Sequence, residues 1–155
     1  SALAEKYMDL VWRVALNCVG HPADADDVTQ NVMLRAFRSA PGLAGEEHAR
    51  RWLIRVTVNE SRRLLTAPWR RRAGPLEALE AVLPAPDQSE QGELLSCVLS
   101  LPPKYRLPLY LYYYEGCSVE EVGRLIGRKP STVQTQLARG RERLKKLLQE
   151  EGYHG

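Results

Sequence analysis

The run from Glu115 to Leu144 constrains the fold of this chain more than any other part. Ser118 is followed three residues later by Glu121, the spacing of a capping box, in which each side chain satisfies the other's unpaired backbone donor. Val119, Val122, Leu125 and Ile126 fall at helical spacing and give that helix one apolar face. Gly127 supplies the left-handed residue that ends it, and Pro130 keeps it from running on. Ser131 is then read as the cap of a new helix, with Gln134 at the reciprocal position. A short helix, a tight turn and a second helix that grows basic make a helix-turn-helix, whose second helix enters the major groove of DNA. Ser131, Thr132, Gln134, Thr135 and Gln136 lie early in that helix, where they offer hydrogen bonds to phosphates or base edges, and glutamine suits adenine. Val133 and Leu137, four apart, belong to the core.

Charge is distributed in blocks. The formal net charge is only +3. Between His48 and Arg72 stand the arginines 50, 51, 55, 62, 63, 70, 71 and 72 against one acid, Glu60. Between Arg128 and Lys146 stand the bases 128, 129, 139, 141, 143, 145 and 146 against Glu142. Two separate basic blocks, one of them on a helix-turn-helix, point to two contacts along a polyanion. Arg141, Arg143, Lys145 and Lys146 fall late in the second helix, on phosphates or in solvent. The segment from Gly74 to Glu93 carries Glu77, Glu80, Asp87, Glu90 and Glu93 and no lysine or arginine. Gly74, Pro75, Pro84, Pro86, Ser89 and Gly92 break it up, as in a flexible linker. The expected organisation is therefore a domain over residues 1–72, an acidic linker over 73–92 and a second domain over 93–155.

The first domain reads as three helices. Leu3, Tyr7, Leu10, Val11, Val14 and Cys18 repeat at helical spacing, with Glu5, Lys6, Asp9, Arg13 and Asn17 turned elsewhere. Gly20-His21-Pro22 ends that helix. A second runs from about Ala23 to Ser39, with Val28, Val32, Met33, Ala36 and Phe37 as its core side and Asp24, Asp26 and Asp27 in its first turn. After a loop at Pro41–Gly45, a third runs from about Glu47 to Thr66, its core drawn from Trp52, Leu53 and Val56. No strand pattern stands out, so the expected fold class is all-α, two small helical domains joined by a flexible acidic linker. Pro108 predicts a kink in the first helix of the second domain. Tyr110, Tyr112, Tyr113 and Tyr114 read as a half-buried face with hydroxyls reaching water.

Several classes are excluded or disfavoured. There is no apolar run long enough to cross a bilayer and no secretory leader, which makes a cytoplasmic protein the expectation. Cys18, Cys97 and Cys117 are odd in number and far apart, and read as reduced thiols. Cys18 and His21 have ligand-like spacing, but no second pair completes a metal site. No metal, cofactor or small-molecule substrate is expected. With no catalytic triad, metal cluster or phosphate loop, the chain is not expected to be an enzyme.

The residues from Pro22 to Phe37, PADADDVTQNVMLRAF, resemble the second conserved region of bacterial sigma factors, and most of all the small two-domain group called extracytoplasmic-function sigma factors. Arg51–Asn59, RWLIRVTVN, is similar to the same family's promoter-melting helix. Leu101–Arg106, LPPKYR, and Tyr114–Val122, YEGCSVEEV, resemble its fourth region. The blocks cover nearly the whole chain in the family's order.

The resemblance implies a dissociable specificity subunit that binds core RNA polymerase and promoter DNA. Asp27, Gln30, Asn31, Leu34 and Arg35 match the surface that docks on a coiled coil of the largest polymerase subunit. Asn31 departs from the family's usual glutamate. Asn59 matches a residue that contacts a base flipped from the melted strand, and Leu43–Ala49 match the loop forming the wall of its pocket. Arg51, Arg55, Arg62 and Arg63 supply positive charge nearby, and Arg139 matches an arginine that contacts the upstream duplex element. Gln134 and Gln136 stand where many relatives are basic. An anti-sigma factor that occludes both domains is a further implied partner. The motif alone also accommodates a free-standing helix-turn-helix regulator, which would bind duplex DNA without polymerase, at a symmetric site.

Overall fold

The computed structural model describes residues 2–39, 45–67 and 97–150. The described residues are helical, with no strand among them, and the fold is all-α. The chain divides into two compact units, Ser1–Val82 and Leu83–Gly155. The expected linker, 73–92, lies outside the described residues, as do Pro41–Ala44 of the expected loop.

The first unit holds α1 (Ala2–Val19), α2 (Pro22–Ser39) and α3 (Gly45–Thr66), each packed on the other two. Their shared core is Leu10, Val11, Val14, Cys18, Val28, Val32, Leu53, Ile54, Val56 and Val58. The apolar repeat of α1 accounts for its half of that core, although Asn17 is buried too. Its Nδ2 donates to the Arg13 carbonyl at 2.8 Å, so a local backbone acceptor makes the burial tolerable. Polar ties fix the helices to each other at their exposed edges. Trp12 Nε1 donates to Asp26 Oδ1 at 2.8 Å between α1 and α2, and Lys6 Nζ pairs with Glu46 Oε1 at 3.1 Å between α1 and α3.

Two boundaries differ from expectation. Helix α2 starts at Pro22, whose missing N–H is harmless at the first helical position, leaving Asp24 alone in the first turn. His21 is its cap: Nδ1 accepts from the backbone N–H groups of Ala23 (3.1 Å) and Asp24 (3.5 Å). The histidine whose spacing to Cys18 suggested a ligand therefore satisfies helix-end donors instead. Replacing it by alanine should cost about 1 kcal/mol and lower the thermal midpoint of this unit by several degrees, followed by circular dichroism. Helix α3 starts at Gly45, two residues before the expected Glu47, so Gly45–Ala49 of the segment matched to the family's pocket loop is helical.

The second unit holds α4 (Pro103–Leu109), α5 (Val119–Ile126) and α6 (Pro130–Glu150), preceded by a helical turn at 97–99. Pro108 is fully buried and does not end α4. The backbone leaves α geometry just beyond it, widening to a π-helical segment over Tyr110–Tyr114 in which Glu115 N donates to Tyr110 O at 3.2 Å. Arg106 is also buried, and its Nη1 donates to the carbonyls of Leu99 (2.8 Å) and Leu101 (3.1 Å), tying the preceding turn to α4. Helix α6 crosses α4 at Gly140, where an added Cβ would stand 2.9 Å from Leu109 Cδ1 and 3.2 Å from Tyr105 Cβ.

The helix-turn-helix forms as its residues dictate, with one change. Ser118 Oγ accepts from Glu121 N at 3.1 Å, and Gly127 closes α5 in the left-handed conformation at φ 72°. Val122, Leu125, Ile126, Val133 and Leu137 are buried between α5 and α6. The change is at Ser131, which does not cap α6. Pro130 already occupies the first helical position, and Lys129 O takes the first intrahelical bond, from Val133 N at 3.0 Å.

Candidate nucleic-acid interface and docking face

Helix α3 separates a buried side from a charged one. Ala49, Leu53, Ile54, Val56, Thr57, Val58 and Ser61 face the core. Arg51, Arg55, Asn59, Arg62 and Arg63 are all exposed, at intervals of three and four that stack them along one side. Asn59 makes no side-chain hydrogen bond within the described residues, so both edges of its amide face solvent. Trp52 is half-buried between the two sides, its neighbours Leu53 and Val56 buried as expected.

One of these cations, Arg63, meets a carboxylate that it shares with Arg35 of α2. Glu60 is 9% exposed, and its Oε1 receives Arg35 Nη1 from α2 at 2.7 Å and Arg63 Nη1 from its own helix at 3.3 Å. The lone acid of the basic block thus neutralises part of that block and clips α2 to α3. Its burial follows from facing α2, from which Arg35 reaches it.

On α2 the matched positions Asp27, Gln30, Asn31, Leu34 and Arg35 are all exposed. Leu34 is 60% exposed, and Phe37, expected in the core, is 86% exposed. Helical geometry gives the reason. Nine residues separate Phe37 from Val28, which at about 100° per residue turns Phe37 through about 180°, onto the outward side with Gln30 and Leu34. Val28 and Val32 remain on the core side. The result is an unpaired apolar pair amid polar residues, on a helix whose other side is in the core.

Recognition helix α6 exposes Ser131, Gln134, Thr135 and Arg139, with Thr132 and Gln136 half-buried. Thr135 Oγ1 donates to the Ser131 carbonyl at 3.1 Å. Ser131, Thr132, Thr135, Gln136 and Arg139 line a cavity of about 340 Å³ with two residues of α4, Lys104 and Tyr105. Arg143 lies over the Tyr105 ring, 4.9 Å from its centroid, and Lys104 Nζ lies 5.1 Å from the same centroid. Burial pushes the Tyr105 hydroxyl up, but Lys104 and Arg143, with hydrogen bonds from Lys104 and Arg139, together bring it below the ordinary phenol value. Farther along α6, Arg141 Nη1 donates to Tyr113 Oη at 2.8 Å. The tyrosine cluster is split: Tyr110 and Tyr112 are half-buried, while Tyr113 and Tyr114 are exposed, with Tyr110 stacked on Tyr114 at 5.2 Å. Neither Lys104 nor Tyr105 is distinguished by the sequence as part of a site, since nothing local places α4 beside the start of α6.

Both units match a known family. Residues 3–71 match sigma-70 region 2, and residues 91–144 match sigma-70 region 4. The chain is 31% identical over 147 residues to the RNA polymerase sigma-E factor of Streptomyces avermitilis, covering 91% of this chain and 80% of that protein. It is 34% identical over 155 residues to the extracytoplasmic-function sigma factor SigE of Mycolicibacterium smegmatis, covering 94% of this chain and 60% of that one. Thus it spans well under two thirds of the length of SigE. Among solved structures the fold is shared with the sigma factor RpoE, in complex with the anti-sigma factor NepR, from Bartonella quintana (TM-score 0.71, 18% identity, 92% of each chain). It is shared also with CnrH in complex with the cytosolic domain of CnrY (TM-score 0.57, 22% identity, 96% of each chain). The chain belongs to the sigma-70 family of sigma factors, in its extracytoplasmic-function group.

Proposed function

We propose that this chain is a dissociable subunit of RNA polymerase that directs promoter-specific initiation, and not itself an enzyme. One observation carries the reading: a single three-helix unit exposes an apolar docking face on α2 and an arginine–asparagine stripe on α3, while the other unit is a helix-turn-helix. In this reading Asp27, Gln30, Asn31 and Leu34, joined by Phe37, bind core polymerase, and Arg35 divides its charge between that partner and Glu60. The α3 stripe takes the melted strand, its arginines on phosphates and Asn59 on an unstacked base. Helix α6 reads the duplex upstream element through Ser131, Thr132, Gln134, Thr135, Gln136 and Arg139, and Arg143 supports it from the Tyr105 ring. Tethering both units to polymerase raises the effective concentration of each at its element, so that two weak contacts make one selective one. A subunit of RNA polymerase works in the cytoplasm, and no helix among the described residues is long and apolar enough to cross a membrane. The complexes of RpoE with NepR and of CnrH with CnrY support an anti-sigma factor as a further partner.

The test is transcription. The chain is added to core polymerase with genomic DNA fragments, and run-off transcripts are sequenced. Discrete starts sharing two spaced upstream motifs are expected. Failure to form a complex with a verified active core, together with protection of duplex DNA by the chain alone, would instead identify a free-standing regulator. The docking face is tested separately by Leu34→Glu combined with Phe37→Glu. Both side chains are exposed, so the fold should persist, while capture of core polymerase in a native gel should weaken at least tenfold.

A further inference from the structure

The cavity between the start of α4 and the start of α6 contains more donors than the fold uses. Lys104 and Arg143 lie 5.1 and 4.9 Å from the centroid of the Tyr105 ring, and Lys104, Tyr105 and Arg139 all line the cavity. Tyr105 is 4% exposed and its ring carries both Lys104 and Arg143, so the side chain is packed in place at the cavity wall. Gln136 adds a second oddity: its Oε1 is buried without a hydrogen-bond partner among the described residues. Ser131 and Thr132 bring hydroxyls from the first turn of α6 to the same wall. No carboxylate lines the cavity.

We infer that this cavity binds one backbone phosphate of the upstream duplex, and that Lys104 and Tyr105 on α4, outside the helix-turn-helix, are the residues that close on it with Arg139. The inference rests on the proposed reading of α6 as the duplex-binding helix, and adds to it a contact made from a different element. An anion suits the site because cations and hydroxyls converge there and because the volume, about 340 Å³, admits a phosphate with its flanking sugars. A phosphate held here fixes the register of α6 in the groove, so that the side chains earlier on that helix meet a set pair of bases. Such a clamp acts on every sequence alike: it sets affinity and position, and leaves base preference to Gln134 and its neighbours. The phenol's pKa, lowered by the neighbouring cations, agrees with a hydroxyl held in a positive field.

The experiment uses the full chain at low salt and two fluorescent duplexes, one carrying the upstream motif from the transcript starts and one scrambled. Lys104→Ala should lower the slope of log affinity against log salt by about one. Tyr105→Phe, which keeps the ring that carries Arg143, should weaken both duplexes about five-fold and leave their affinity ratio unchanged. A series of motif duplexes, each with one phosphate replaced by neutral methylphosphonate, then locates the contact. At one position the replacement should cost wild-type protein affinity and cost the Tyr105→Phe variant almost none. Melting curves of both variants matching wild type show that folding is intact; should Tyr105→Phe melt early, Lys104→Ala, altered at an exposed residue, is read in the same series. If neither variant changes affinity or salt slope, or if every methylphosphonate costs variant and wild type equally, the clamp is wrong. A wild-type chain that does not distinguish the two duplexes overturns the reading of α6 itself, a result separate from any effect of these variants.

Discussion

Asn59→Ala should abolish promoter opening while leaving the polymerase complex intact. The side chain is exposed on α3 and holds no hydrogen bond within the described residues, so its removal should change stability by no more than about 0.5 kcal/mol. Its value lies in what it offers a base pulled out of the stack, a donor and an acceptor side by side on a rigid helix. Losing a bidentate base contact costs about 1–3 kcal/mol, or roughly 5- to 150-fold in the population of the melted complex. The flanking arginines, Arg51, Arg55 and Arg62, cannot replace it, because they act on phosphates whatever the sequence. Permanganate reactivity of unpaired thymines reports opening, and a native gel reports polymerase binding. Loss of both together would mean that Asn59 supports the docking unit as a whole; loss of neither would remove it from the promoter contact.

What the chain reveals before folding depends on the range of the physics involved. Capping, left-handed glycine and apolar periodicity act within one helix turn, and they place α5, the turn at Gly127 and the cores of α1 and α6 correctly. The same local rules misplace the cap of α6 and start α2 one residue late. There a proline at the first helical position takes the start of the helix, and the residue before it, His21 or Lys129, becomes the cap, whatever polar residues follow. Phe37 was within reach of a strict angular count from Val28, but counting apolar residues alone put it inside.

Longer-range features are not written locally at all. Glu60 meets Arg35 across 25 residues. Tyr105 meets Arg143 and Arg139 across a turn and a whole helix, and only the packing of α4 on α6 brings them together. The exposed stripe Arg51, Arg55, Asn59 and Arg62 was legible because all its members lie on one helix. The cavity beside α6 was not, because Lys104 and Tyr105 reach it from another helix. Sequence blocks therefore identify single-helix surfaces well and composite ones poorly.

Gly123→Ala should separate the two units' activities by disabling the helix-turn-helix alone. In a helix interior alanine is ordinarily the better residue by about 0.5–1 kcal/mol. At Gly123 that gain is outweighed, because the new Cβ would stand 2.6 Å from the Arg128 carbonyl oxygen, a backbone atom with no rotamer to escape into. The turn is drawn onto Gly123 from both sides, since its own carbonyl accepts from Gly127 N and, at 2.9 Å, from Arg128 N. A methyl group must lift the turn away or tilt α6, at a cost of about 1–3 kcal/mol for an overpacked site. Either response moves Ser131, Thr132 and Thr135 relative to α5, and a shift of one ångström is enough to break base-edge geometry. Affinity for the upstream duplex should fall at least tenfold, and the second unit should melt earlier. Capture of core polymerase through α2 should be unchanged, because α2 belongs to the other unit. If duplex affinity survives the substitution, the turn does not set the spacing of the two helices and α6 finds the groove unaided.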